Sequence, residues 1–149
     1  MKTIDIFYAD DDEDDFLFFN DAIEKISTDK KPPISLHLHK NGESLLENIK
    51  KNRVENGVVF LDINMPKKSG FKLLEEIRSE VEIKQVPVIM YSSSYNDSSM
   101  ELSYNLGANF FVVKPHNFHD LISMINRILN IDWKRHKVDL ENFIYSKEK

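Results

Sequence analysis

The sequence predicts an α/β fold: a doubly wound, five-stranded parallel sheet built from five successive β–α units, followed by a short C-terminal extension. Two observations carry this. Short apolar runs rich in β-branched and aromatic residues recur along the chain, and between them lie stretches with the three-and-four spacing of amphipathic helices. Their alternation implies right-handed crossovers, and so parallel strands with helices on both faces. A length of 149 residues fits one such unit around one core.

The first strand is Ile4 to Ala9, and it runs into six consecutive acids, Asp10 to Asp15. A helix follows, with Phe16, Phe19, Ile23 and Ile26 on one face; Phe16 to Phe19 are expected in the core. Lys30-Lys31-Pro32-Pro33 reads as a loop, because a proline pair cannot sit inside a helix. Ile34 to His39 alternates like a half-buried strand, Asn41-Gly42 marks a turn, and Leu45, Leu46 and Ile49 give the second helix its apolar face. Val58 to Leu61 is a continuous apolar run, as expected of a strand covered on both sides, and it ends at Asp62.

Pro66 and Gly70 bracket the next loop, and Phe71, Leu74 and Ile77 open the third helix. The fourth strand is expected over Val86 to Tyr91, with Pro87 at its entrance, where a missing N–H is tolerated. After Ser92-Ser93-Ser94 a weakly patterned helix reaches about Leu106, closed by Gly107 as its C′ residue. Phe110 to Val113 forms the fifth strand, ending at Lys114-Pro115. The fifth helix has the clearest stripe: Phe118, Leu121, Ile122, Ile125, Ile128 and Leu129.

Composition narrows the function classes. With 41% hydrophobic and 30% charged residues, the chain reads as an ordinary soluble protein. The absence of cysteine excludes disulfides, thiolate zinc sites and cysteine nucleophiles, and fits a reducing cytoplasm. No apolar run approaches the roughly 20 residues needed to span a bilayer, and no signal peptide is expected at the N-terminus. A net charge of −5 argues against a nucleic-acid partner, which would need a basic face.

In an open α/β sheet, ligands bind beyond the carboxyl ends of the strands, so the residues on which the strands end are informative. These are Asp10 and Asp11, Asp62, Ser92, and Lys114. Clustered carboxylates repel one another unless a cation joins them, and oxygen ligands suit Mg2+. With such a cation a carboxylate can attack a phosphoryl group, while Lys114 neutralises the phosphoryl oxygens and Ser92 donates to one.

Over residues 1 to about 130 the chain resembles the response-regulator receiver family, whose fold is flavodoxin- or CheY-like. Four segments carry the resemblance: Tyr8-Ala9-Asp10-Asp11; Phe60-Leu61-Asp62-Ile63-Asn64-Met65-Pro66 with Gly70; Pro87 to Ser92; and Gly107-Ala108 with Val113-Lys114-Pro115. The resemblance implies that Asp62 accepts a phosphoryl group from a sensor histidine kinase or a histidine phosphotransfer protein. It implies a Mg2+ (or Mn2+) ion held by Asp11, Asp62 and the backbone carbonyl of Asn64, with Asp10 acting through water. Ser92 and Phe111 fall at the family's switch positions, and Asn64 and Ser94 at positions that tune the lifetime of the aspartyl phosphate. Phe111 departs from the commoner tyrosine and has no hydroxyl to signal with. A narrower resemblance, to phytochrome-associated single-domain response regulators, rests on Ser103 to Asn109, Lys114-Pro115, Asn117-Phe118 and Trp133.

Other readings stand beside these. Asp12, Asp14 and Asp15 are read either as helix-capping acids or as part of the site. His37 and His39, without a carboxylate at ligand spacing, are read as structural or solvent-facing, and His116, His119 and His136 have no visible catalytic partner. A small phosphohydrolase using Asp10 and Asp12 as nucleophile and acid, and a degenerate receiver acting as a scaffold, are the alternatives in function.

Residues 1–130 are expected to form the receiver and 131–149 an extension too short for an output domain. Within it a short helix is expected over 138–149, with Leu140, Phe143 and Ile144 on one face. It either folds onto its own domain or forms a homodimer contact together with the fourth and fifth helices. Output is expected through protein contact, with the downstream target left unidentified.

Overall fold

The computed structural model describes residues 3–29, 33–52 and 55–145. Ten elements alternate: β1 (Ile4–Ala9), α1 (Glu13–Asp29), β2 (Ile34–His39), α2 (Leu45–Asn52), β3 (Gly57–Asp62), α3 (Gly70–Ser79), β4 (Val88–Ser92), α4 (Asp97–Asn105), β5 (Phe110–Val113) and α5 (Phe118–Leu129). All strand pairs are parallel, in the order β2-β1-β3-β4-β5. The chain reverses its direction of travel across the sheet between β1 and β3, so the crevice at their carboxyl ends is where this topology places a ligand.

Alternation along the strands divides the core in two. Phe7, Val59, Leu61, Met90 and Phe111 face α2, α3 and α4 and pack with Leu45, Ile49, Leu74 and Ile77. Ile6, Tyr8, Phe60, Tyr91 and Val112 face α1 and α5 and pack with Phe19, Ile23, Leu121 and Ile125. Every residue of β3 is buried, as its unbroken apolar run requires.

Local chemistry sets the boundaries. Asp12 Oδ1 accepts from the Asp15 N–H at the start of α1. Asn96 and Asn117 cap α4 and α5 in the same way, at 2.8 Å each. Gly107, at φ +97, ends α4: its N–H donates to Tyr104 O and the Ala108 N–H to Ser103 O, the Schellman pair. Gly70 opens α3 directly against the Asp62 carbonyl, where a Cβ would collide with that oxygen. This close approach folds the loop after β3 over the strand end.

Several expectations are corrected. β4 begins at Val88, not Val86, because Val86 closes a turn onto Ile83 O and Pro87 contributes only its carbonyl, to Val59 N. Of Phe16 to Phe19, Phe16 and Phe19 are buried, Phe18 is half-buried and Leu17 faces solvent. Lys30, Lys31 and Pro32 of the expected loop, and residues 146–149 of the expected tail helix, lie outside the described residues.

The largest correction concerns the extension. In place of a helix there is one 3-10 turn, Leu140–Asn142, followed by an extended segment beside β5. The Phe111 N–H donates to Phe143 O (3.0 Å) and the Tyr145 N–H to Phe111 O (2.9 Å). Phe143 is buried in the first core with its ring 5.3 Å from Tyr104, whereas Ile144 is partly exposed. The free edge of β5 offers unpaired backbone groups, and satisfying them outweighs a weak local helical preference. The described part of the extension, 131–145, therefore folds onto its own domain.

Candidate functional site

The parallel registers bring the strand ends into one row. Ala9 pairs with Leu61, Asp62 with Tyr91, and Ser92 with Val113, so Asp10, Asp62, Ser92 and Lys114 emerge on the same rim. Asp10 is fully buried, Asp62 and Ser92 are buried, and Asp11 is exposed. Carboxylate oxygens of Asp10, Asp11 and Asp62 lie within 4.8 Å of one another.

Lys114 crosses this cluster. Its Nζ donates to Asp10 Oδ2 and to Asp15 Oδ2 at 2.7 Å each, and lies 3.3 Å from Asp62 Oδ1. The Tyr91 ring sits beneath it, 5.6 Å from Nζ to centroid. Asp10 is engaged on both oxygens: the Tyr8 hydroxyl donates to Oδ2 at 2.5 Å and the Asp12 N–H to Oδ1 at 3.0 Å. Ser92 Oγ donates to Ser94 O at 2.8 Å and accepts from the Ser94 N–H, which ties it into the β4–α4 loop. Asn64 and Ser94 are exposed on the loops after β3 and β4.

Burial and crowding set the charges. Burial pushes the Asp62 carboxyl up to about 6; Lys114 opposes the rise, and the Asp10 and Asp11 charges add to it. Burial alone would depress Lys114, but its hydrogen bonds to Asp10 and Asp15 and the charges of Asp10 and Asp62 carry it above the ordinary lysine range. It is a fixed cation. Burial, and then Asp10, drive the Tyr8 hydroxyl far above the tyrosine range, so it remains a donor.

The structure thus brings together Asp10, Asp11, Asp62, Ser92 and Lys114, as the strand ends predict. Phe111 lies fully buried on β5, with the exposed ring of Tyr95 at 5.9 Å. Tyr8 goes unrecognised in the sequence as a member of the site, and Asp15, read there either as a cap or as part of the site, meets its partner only in the structure. Tyr8 shares the strand face of Asp10 by simple alternation, and that spacing is the signal in the sequence that points to it. Asp15 offers no local sign of its pairing with Lys114, which lies 99 residues away. Asp12 is a cap, as one of its two readings holds. His37 does meet a carboxylate, Asp5 on the neighbouring strand at 3.0 Å, and stacks on Phe7; His39 bonds Ser44 and Asn48. Both are structural.

A parallel β2-β1-β3-β4-β5 sheet with acids, a serine and a lysine along its carboxyl rim defines a class, the CheY-like receivers. The sequence profile described as the response regulator receiver domain matches residues 6–126, and the chain belongs to that family. It is 33% identical over 78 residues to response regulator Rcp1 of Synechocystis sp. (strain ATCC 27184 / PCC 6803 / Kazusa), a stretch covering 52% of this chain and 53% of Rcp1. The matched part is therefore about half the length of that relative. The structure of the Mn(2+)-bound form of Rcp1 superposes with a TM-score of 0.71 at 22% identity, covering 91% of this chain and 99% of that one. The phosphorylated cyanobacterial phytochrome response regulator RcpA superposes with a TM-score of 0.73 at 25% identity, covering 85% and 91%.

Proposed function

We propose that this chain is a response regulator of a two-component phosphorelay that accepts a phosphoryl group on Asp62. The observation that carries the reading is the 3.3 Å approach of Lys114 Nζ to Asp62 Oδ1 inside a buried carboxylate cluster at the switch point of the sheet. The donor is the phosphohistidine of a sensor histidine kinase or a histidine phosphotransfer protein. A lone pair on an Asp62 carboxylate oxygen forms the new O–P bond. The P–N bond of the donor breaks, and its electron pair stays on the imidazole nitrogen.

The donor set fits a hard divalent cation: oxygens of three carboxylates, Asp10, Asp11 and Asp62, converge within 4.8 Å of one another at the strand ends. Asp11, Asp62 and the Asn64 backbone carbonyl would hold Mg2+ (or Mn2+), with Asp10 acting through water because its own oxygens are already engaged. Mn2+ is the ion in the Rcp1 structure. When bound, the ion offsets the charge of the carboxylates and of the incoming phosphoryl oxygens. Lys114 neutralises a phosphoryl oxygen, and Ser92 turns its hydroxyl from Ser94 O to donate to another. Phosphorylation and the later hydrolysis to inorganic phosphate are catalysed by this same site, with Asn64 and Ser94 at the loops that admit water.

The movement of Ser92 is relayed to Phe111, and output is a change in protein–protein contacts. We assign the receiver to residues 1–130 and the extension to 131–149. The contact surface comprises α4, α5 and the extension, facing either a downstream protein or a second copy. The reading places the protein in the cytoplasm; no helix of the described residues is long and apolar enough to cross a membrane.

Intact mass after incubation with acetyl phosphate and Mg2+ tests the assignment. The expected result is the gain of one phosphoryl group, abolished by Asp62→Asn. No gain, or a gain that survives the substitution, overturns it. The latter would favour Asp10 as nucleophile, although its engaged oxygens and the capping role of Asp12 speak against the hydrolase alternative.

A further inference from the structure

An ammonium group has three N–H donors, and in the resting site Lys114 faces three carboxylates: Asp10, Asp15 and Asp62. If Lys114 is to donate to a phosphoryl oxygen, one of these contacts must be given up. The three are not equivalent. Asp10 is fully buried, and without Lys114 its charge would keep only the Tyr8 hydroxyl and the Asp12 N–H. Withdrawing the cation there exposes a buried charge, which is costly. Asp62 carries the phosphoryl group, and Nζ lies farther from it, at 3.3 Å, than from Asp10 and Asp15, at 2.7 Å each, so closing on a phosphoryl oxygen there draws the ammonium away from one of those two. Asp15 is different: its side chain is 35% exposed on the first turn of α1, and water can take the place of Lys114.

Resting on the reading of Asp62 as phosphoacceptor, we propose that Asp15 is a positioning residue that holds Lys114 in the unphosphorylated site and competes with the phosphoryl group for it. Asp15 opposes phosphoryl binding twice, by occupying a donor of Lys114 and by adding a negative charge beside an anionic ligand. It also ties the start of α1 to the end of β5 through one ion pair. Transfer of Lys114 to a phosphoryl oxygen loosens that tie, so the occupancy of Asp62 is felt at α1 as well as at Phe111.

The test compares the affinity of the wild type, Asp15→Asn and Asp15→Glu for beryllofluoride, a phosphoryl mimic, by calorimetric titration at saturating Mg2+. Asn keeps the size of the side chain and removes its charge; Glu keeps the charge. Asp15→Asn is expected to bind about fivefold more tightly, the scale of one partly exposed charge contact, and Asp15→Glu within about twofold of the wild type. Equal or weaker binding by Asp15→Asn overturns the proposal and leaves Asp15 as a brace for α1. A wild type that binds no beryllofluoride would bring down the phosphoacceptor reading itself, and this inference with it. That outcome is distinct, because it does not depend on the variant.

Discussion

Asp62 should make the metal-free protein less stable than it could be, and neutralising it should show by how much. The carboxyl is buried, and burial, with the Asp10 and Asp11 charges added, raises its pKa from 3.8 to about 6 despite Lys114. Between those values the unfolded chain has released the proton that the folded chain still holds. Stability therefore falls as pH rises through that window, and the full cost is present above about pH 7. A displacement of that size corresponds to about 3 kcal/mol, a ceiling because rearrangement and water relieve part of it. Asn preserves the shape without the charge, and Lys114 retains Asp10 and Asp15. Asp62→Asn is accordingly expected to be more stable than the wild type by about 2–3 kcal/mol at about pH 8, and by about half as much at about pH 5. Urea unfolding midpoints for both proteins at the two pH values, with divalent ions chelated, measure this. Added Mg2+ should then raise the midpoint of the wild type more than that of the variant. An Asp62→Asn protein no more stable than the wild type at the higher pH would refute the electrostatic account.

Other perturbations probe the frame around the site. Arg78 donates to the carbonyls of Gly107, Lys84 and Val86 and to Asn109 Oδ1, joining the end of α3 to the entrances of β4 and β5. Arg78→Ala should cost about 2–4 kcal/mol in urea unfolding, and Arg78→Lys should recover little, since an ammonium cannot span the same acceptors. Gly70→Ala places a methyl against the Asp62 carbonyl, so it should slow phosphorylation by acetyl phosphate about tenfold or more while far-UV circular dichroism stays native-like. Phe143→Ala empties a fully buried position and should cost about 3–5 kcal/mol. Amide exchange at Phe111 and Tyr145, whose N–H groups close the pairing with β5, should accelerate in that variant; unchanged exchange would mean the extension is held elsewhere.

The sequence by itself determined the alternation of elements, because burial of one face imposes a period of two on a strand and about 3.6 on a helix. β2 and α5 are legible for this reason, and β3 by the unbroken apolar run of a strand covered on both faces. It also determined most of the site. Once the strands are parallel, their carboxyl ends share one edge, so Asp10, Asp62, Ser92 and Lys114 must converge whatever the details of packing. What the tertiary structure decided are contacts set by which helix turn lies beside which strand end. Asp15 reads locally either as a helix-start acid or as part of the site, and the choice is made by α1 lying where that acid reaches Lys114 across 99 residues. Arg78 bonds the Gly107, Lys84 and Val86 carbonyls and Asn109, segments the chain brings together only on folding. Residues 140–145 carry too little periodic pattern to choose a conformation, and the open edge of β5 chooses it for them, turning an expected helix into a strand-like cover over Phe111. Periodicity reports which face of an element is buried. It does not report the partner, because the partner is a property of the assembled sheet.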